Sequence, residues 1–157
     1  MNGMFPILFT AALLLPVVTY VAAASGDAPL KCQPTPADSL GPFYVPDAPV
    51  RVKVGAGYVL RGTVRSAVDC ASIKGAKIEF WLAGPSGSYD DDHRATLFAD
   101  GSGVYRFESN FPSVYGSRPP HIHLRVSAAG FSTLVIQHYP EAGKSGARFD
   151  LVLVPVR

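Results

Sequence analysis

Charge of either sign is scarce in this chain. Fourteen Lys and Arg against twelve Asp and Glu leave a net charge of +2, too weak a balance for nucleic acid to be the main partner. Cys32 and Cys70 are the only cysteines, so no larger thiolate set exists to hold a metal. No Lys or Arg occurs before Lys31 and no twin arginine occurs. Cys32 also lacks the small-residue run that lipid attachment requires. No convincing helical period, internal repeat, low-complexity tract or charged tail is present, which argues against bundles and solenoids. Histidine is rare as well, with four in 157 residues.

What is abundant is apolar residue at the start and turn residue thereafter. Met4 to Ala24 is almost wholly apolar and ends in Tyr20-Val-Ala-Ala-Ala-Ser25, small residues suited to signal peptidase. The expectation is a signal peptide over 1–24 and a secreted or periplasmic protein with no membrane partner once the leader is removed. The rival is an uncleaved anchor, since about 20 apolar residues span a bilayer. Residues 25–54, rich in Pro, Asp and Gly, read as an extended N-terminal arm. In an oxidising compartment Cys32 and Cys70 would form a disulfide tying this arm to the first strands.

Residues 55–157, with the arm about 130 residues in all, suffice for one domain with a real core. Short alternating runs follow one another: Val59–Val64, Lys77–Leu82, Ala95–Ala99, Val104–Phe107, His121–Val126, Thr133–His138 and Phe149–Val154. Asp100-Gly-Ser-Gly103 separates two of them as a turn. The 15 Gly and 14 Pro fit a single-domain, all-β sandwich of about seven to eight strands. Tyr105 alternates with Phe107 and belongs to the core. Trp81 reads as half-buried packing, and Asp90–Asp92 as a solvated loop.

Half of the histidines fall in one tripeptide, His121-Ile-His123. On a strand the side-chain period of two puts both imidazoles on one face, about 6–7 Å apart, with Ile122 on the other. One metal ion could take a nitrogen from each, but two histidines alone are a weak metal signal. Further donors are Asp90–Asp92, or the tyrosines Tyr89 and Tyr115. A phenol binds as phenolate only where a strong Lewis acid displaces its proton. Fe(III) suits that task, and two phenolates, two imidazoles and a hydroxide would make it a neutral centre that burial penalises little. With the aspartates instead, the centre would be zinc or ferrous iron.

Gly41-Pro-Phe-Tyr44, Gly75-Ala-Lys-Ile-Glu-Phe-Trp81, Gly87-Ser-Tyr89, Asp100-Gly-Ser-Gly-Val-Tyr105-Arg-Phe107, Pro112-Ser-Val-Tyr115 and Arg118-Pro-Pro-His121-Ile-His123 follow in the order seen in intradiol ring-cleavage dioxygenases. The chain resembles that family from about Leu40 to Val154. The resemblance implies a non-haem Fe(III) enzyme that inserts both atoms of O2 into a catechol-type diol and yields a cis,cis-muconate. Its partners would be a small aromatic diol and O2. It puts Tyr89, Tyr115, His121 and His123 on the iron, with Tyr115 leaving as the catechol chelates. Arg118 would lie beside the substrate, and its fixed charge would stabilise carbanion character. Gln137 would hydrogen-bond near the substrate, and Tyr44 would line the pocket. His93 and His138 stay outside the ligand set. A competing reading is a secreted, non-catalytic transthyretin-like binding module, which shares the β-sandwich segments but has no use for Tyr89, Tyr115, Arg118, His121 and His123 together.

Overall fold

The computed structural model describes Met1 and residues 29–156, so residues 2–24 of the expected leader lie outside the described residues. Eight strands form: β1 Tyr58–Ser66, β2 Lys77–Leu82, β3 Arg94–Phe98, β4 Val104–Ser109, β5 Ile122–Ser127, β6 Leu134–His138, β7 Gly146–Arg148 and β8 Leu151–Leu153. One sheet runs β4-β1-β7 with β8 also paired to β1; the other runs β3-β2-β5-β6. The chain is therefore the expected all-β sandwich. One helical turn occurs among the described residues, the 3-10 segment Asp91–His93.

Alternation sets the core. Leu60 and Val64 of β1 face Ile78, Phe80 and Leu82 of β2, and all are essentially inaccessible. Phe80 stacks on Phe107 across the two sheets at 4.1 Å between ring centres. Burying each such side chain contributes about 1.5–3 kcal/mol. Tyr105 is buried as expected, and its hydroxyl donates to the Phe149 carbonyl at 2.6 Å. The Asp100 turn forms because its carboxylate accepts from Ser102 N, Ser102 Oγ and Val104 N, which carries the chain from β3 in one sheet to β4 in the other without a long loop.

Two expectations need correction. The run Phe149–Val154 is not one strand: pairing stops at Phe149 and Asp150, and a short strand, β7, precedes the break. Phe149 O lies 2.0 Å from where a Cβ on Gly62 would stand, so the crossing needs glycine there. Trp81 is not half-buried but 2% exposed. The outer face of the β3-β2-β5-β6 sheet is covered, not solvated, because the arm lies over it.

The arm is tied down along its length. Cys32 and Cys70 are joined in a disulfide with Cα atoms 5.4 Å apart. Thr35 N bonds to Val152 O, and Asp38 N to Val135 O. Farther on, Val50 bridges Thr96 and Lys53 bridges Glu108. Between these anchors, residues 39–44 pass over the sheet face that carries His123.

Candidate metal centre and binding cleft

Pairing register assembles the site's floor. Trp81 lies opposite both Arg94 and His123, and His123 opposite Gln137. One outward-facing row of four side chains thus crosses all four strands. The next row places Glu79 opposite Thr96 and Arg125. Glu79 is 2% exposed and is bonded by Lys77 at 2.9 Å, Arg125 at 2.7 Å and the Tyr44 hydroxyl at 3.1 Å. Burial pushes its carboxyl up, but those three bonds outweigh burial and hold it below the usual carboxylate range.

His121 enters from the residue before β5. Its Nδ1–H donates to the Pro119 carbonyl at 2.8 Å, which leaves Nε2 as a bare lone pair. That Nε2 stands 3.0 Å from the Tyr89 hydroxyl and 3.1 Å from His123 Nε2. Both histidines are 2% exposed. Burial holds the His121 imidazole below its usual pKa, and burial with His121 and Arg118 nearby takes His123 down to about 3. Both rings are therefore neutral at pH 7, the form that donates to metals. His123 Nδ1 is buried with no hydrogen-bond partner.

The walls hold these donors in place. The Trp81 indole lies flat on His123 at 4.8 Å, with an 8° angle between planes. Gly41 covers His123 from the arm, and a Cβ there would stand 3.1 Å from His123 Cε1. Gly41 also has φ +70, the left-handed region that glycine adopts without strain. Phe43 stacks on Tyr89 at 4.4 Å and meets Tyr115 edge-on at 5.0 Å. Arg94 joins the two segments, donating to the Phe43 carbonyl and, at 3.3 Å, to the Tyr89 carbonyl. Tyr115, 40% exposed, sits on a turn closed by Arg118 N to Tyr115 O at 3.0 Å. Its ring is edge-on to Tyr89 at 5.5 Å.

Arg118 belongs to a closed polar ring. Its Nη2 donates to Gln137 Oε1 at 2.7 Å and to the Tyr139 hydroxyl at 2.8 Å, and Tyr139 donates to the same Gln137 oxygen at 2.9 Å. Gln137 Nε2 donates to the Ser39 carbonyl of the arm at 2.7 Å. Gly41, Pro42, Phe43, Tyr89, Tyr115, Arg118, His121 and His123 enclose a cleft of about 70 Å³.

The sequence-derived residues thus converge, with one exception. Tyr44 does not line the cleft: its ring stands edge-on to Trp81 at 5.2 Å, its hydroxyl binds Glu79, and Arg125 lies over its ring. The neighbouring Phe43 faces the cleft instead. In an extended arm adjacent side chains point opposite ways, and sequence alone does not say which one meets the sheet. Phe43, Trp81, Arg94 and Tyr139 were missed. Trp81 was detectable in principle, being in register with His123 on the polar face of β2. The zinc or ferrous alternative finds no support. Asp90 caps the 3-10 turn and binds His93 Nδ1 at 2.6 Å, and no group of three His, Cys, Asp or Glu forms a metal cage among the described residues. His138 bonds the Tyr58 hydroxyl at 2.7 Å, so it and His93 lie outside the donor set as expected.

The donor set itself favours a hard, highly charged cation. Two neutral nitrogens facing each other at 3.1 Å repel unless a proton or cation lies between them. Burial raises the Tyr89 pKa above that of an ordinary phenol, with Arg118 opposing. A phenol in that state surrenders its proton only to a strong Lewis acid. The residues present therefore fit Fe(III).

The chain matches no family model. It is 32% identical over 167 residues to a chlorocatechol 1,2-dioxygenase of Pseudomonas putida, covering 85% of this chain and 64% of that protein. It is 30% identical over 138 residues to a catechol 1,2-dioxygenase of Candida albicans, covering 64% of this chain and 45% of that one. The chain thus spans between about half and two thirds of the length of these curated relatives. Among solved structures it is similar to the dioxygenase domain of a dioxygenase carbohydrate-binding protein fusion from Streptomyces sp. SirexAA-E. That match has a TM-score of 0.71 and 26% identity, and covers 79% of this chain and all of that domain.

Proposed function

Because the chain belongs to the intradiol ring-cleavage dioxygenase family, we propose that it inserts both atoms of O2 into a catechol-type diol. The bond between the two hydroxylated carbons breaks and a cis,cis-muconate is released. The observation that carries this reading is the meeting of Tyr89 Oη, His121 Nε2 and His123 Nε2 within 3.0–3.1 Å under a small cleft that also holds Arg118. A binding module gains nothing from burying these groups together, since each unpaired polar atom costs about 1–3 kcal/mol.

Tyr89, Tyr115, His121 and His123 would hold non-haem Fe(III), which when bound supplies a Lewis acid for both diol oxygens and the redox partner for O2. The protein's own contributions follow from the geometry. Trp81 and Gly41 fix the plane of His123, and Pro119 fixes the tautomer of His121. Tyr115, half-exposed on its turn, would accept a proton from the incoming diol as a phenolate. The Arg118 guanidinium, locked by Gln137 and Tyr139, presents fixed positive charge where a ring carbon turns nucleophilic. A 70 Å³ cleft has room for about two water molecules, so an aromatic diol enters only as Tyr115 or the 41–43 segment shifts.

The leader at Met4–Ala24 would carry the chain to an oxidising compartment. The Cys32–Cys70 disulfide supports that reading, since such bridges persist outside the reducing cytosol. Mass measurement of the exported chain tests it: loss of residues 1–24 is expected, and an intact amino terminus would make Met4–Ala24 an anchor.

The activity is tested by loading the purified protein with ferric iron. A wine-red phenolate charge-transfer band should appear, and catechol should be consumed with one O2 per muconate formed. A colourless, iron-loaded protein would remove the tyrosines from the metal. A coloured protein that consumes no O2 with any catechol would remove the activity.

A further inference from the structure

Opposite the cleft, the outer face of the β4-β1-β7 sheet carries a feature that ring cleavage does not use. In pairing register Arg61 lies opposite Arg106 on one side and opposite Arg148 on the other. All three are exposed. Strands lie about 4.8 Å apart, so three guanidinium stems form a straight row spanning about 10 Å. Like charges directly opposite each other destabilise a sheet, so the fold gains nothing from this row. Arg106 is answered by Glu108 at 3.1 Å and Arg148 by Asp150 at 3.2 Å, whereas Arg61 makes no ion pair among the described residues. Lys53, on Glu108, and Arg65, 3.8 Å from Asp150, flank the row. Five cations thus face two carboxylates.

Surface depressions of about 300 Å³ and about 520 Å³ flank the row, and Arg61 and Arg148 line both. The other outward positions of these strands are Val59, Thr63, Val104 and Gly146, so the face has no aromatic platform. Single-stranded nucleic acid and neutral sugars use such platforms, and a nucleic acid also needs a wider basic footprint than a chain of net charge +2 provides. What remains is recognition by charge and by the planar fork of arginine, which matches a carboxylate with two parallel hydrogen bonds.

The geometry points to a docking surface for a linear polyuronate, an acidic polysaccharide with a carboxylate on each sugar, laid across the strands along Arg106, Arg61 and Arg148. It would hold the protein on an acidic polymer while leaving the cleft, on the other sheet, unobstructed.

Titration calorimetry with an oligogalacturonate at low salt tests this on the full chain. Binding is expected that weakens steeply with added salt and vanishes for the fully methyl-esterified oligomer. Arg61→Gln should loosen it about fivefold, the size of one exposed charge pair, and Arg61→Gln with Arg148→Gln roughly twentyfold. Arg61→Lys, which keeps charge but loses the fork, should lie between the parent and Arg61→Gln. Melting temperature should not fall, since the substitutions relieve repulsion. Equal binding of the esterified oligomer, parent-like binding by the double variant, or tighter binding of single-stranded DNA of matched charge would each overturn the proposal. The readout is binding alone, so its failure is separate from any failure of ring cleavage.

Discussion

Arg118 shows how a single residue's role depends on its partners. An arginine flanked by proline and serine is ordinarily a solvated surface group, yet here Gln137 and Tyr139 hold one of its nitrogens at 2.7 and 2.8 Å. Arg118→Ala should lower turnover by about a hundredfold, the effect of deleting one preorganised charge donor, while the iron colour is retained. Turnover within twofold of the parent would return it to the surface class. Tyr139→Phe keeps the ring but removes the hydroxyl that braces Arg118. A smaller loss is expected in kcat, with KM and colour nearly unchanged, and steady-state kinetics distinguish it from a folding defect. Tyr139 was illegible beforehand, because its role depends on a hydrogen bond to a side chain 21 residues away.

Among the elements, the arm carries the most function for its size. It has no regular structure, yet it supplies Ser39 to Gln137, Gly41 to His123 and Phe43 to Tyr89. Removing the disulfide with Cys32→Ser and Cys70→Ser frees a loop spanning 38 residues. The loss should be about 2–4 kcal/mol of stability, seen as a lower denaturation midpoint and faster proteolysis of the arm. Gly41→Ala tests the other end. Its Cβ would crowd His123 at 3.1 Å at a backbone angle of +70, so iron affinity should fall while the melting temperature moves by only a few degrees. Unchanged iron affinity would mean the arm does not set the position of His123. The arm's extended character was legible from its Pro, Asp and Gly content, but its path over the sheet was not.

Over the whole molecule, stability comes from the two-sheet core and is tuned by partly buried histidine. Phe80 packs on Phe107 at the centre, and Phe80→Ala should cost about 3–5 kcal/mol in equilibrium unfolding. His138 is held at about 4 by burial, against 6.5 for a free imidazole. The unfolded chain therefore takes up this proton first. Stability is complete above pH ~6.5 and declines as pH falls toward about 4. His138→Gln should make that decline shallower in thermal melts from pH 7 to 4, the remainder coming from His121 and His123, whose imidazoles burial also holds down. A parent whose melting temperature stays level over that interval would contradict the burial of this ring.

Local pattern determined the sandwich, the limits of β2, the Asp100 turn, the core role of Tyr105 and the same-face pairing of His121 and His123. Each depends on side-chain alternation or on bonds within four residues, which the chain carries wherever it lies. Tertiary structure alone decided that Phe43 and not Tyr44 meets the cleft, that Trp81 lies flat on His123, that Tyr139 and Arg94 brace the site, and that three arginines align on the far sheet. Those outcomes depend on strand register and on which face the arm covers. Both are set by long-range packing between segments far apart in the chain, and no local window contains them.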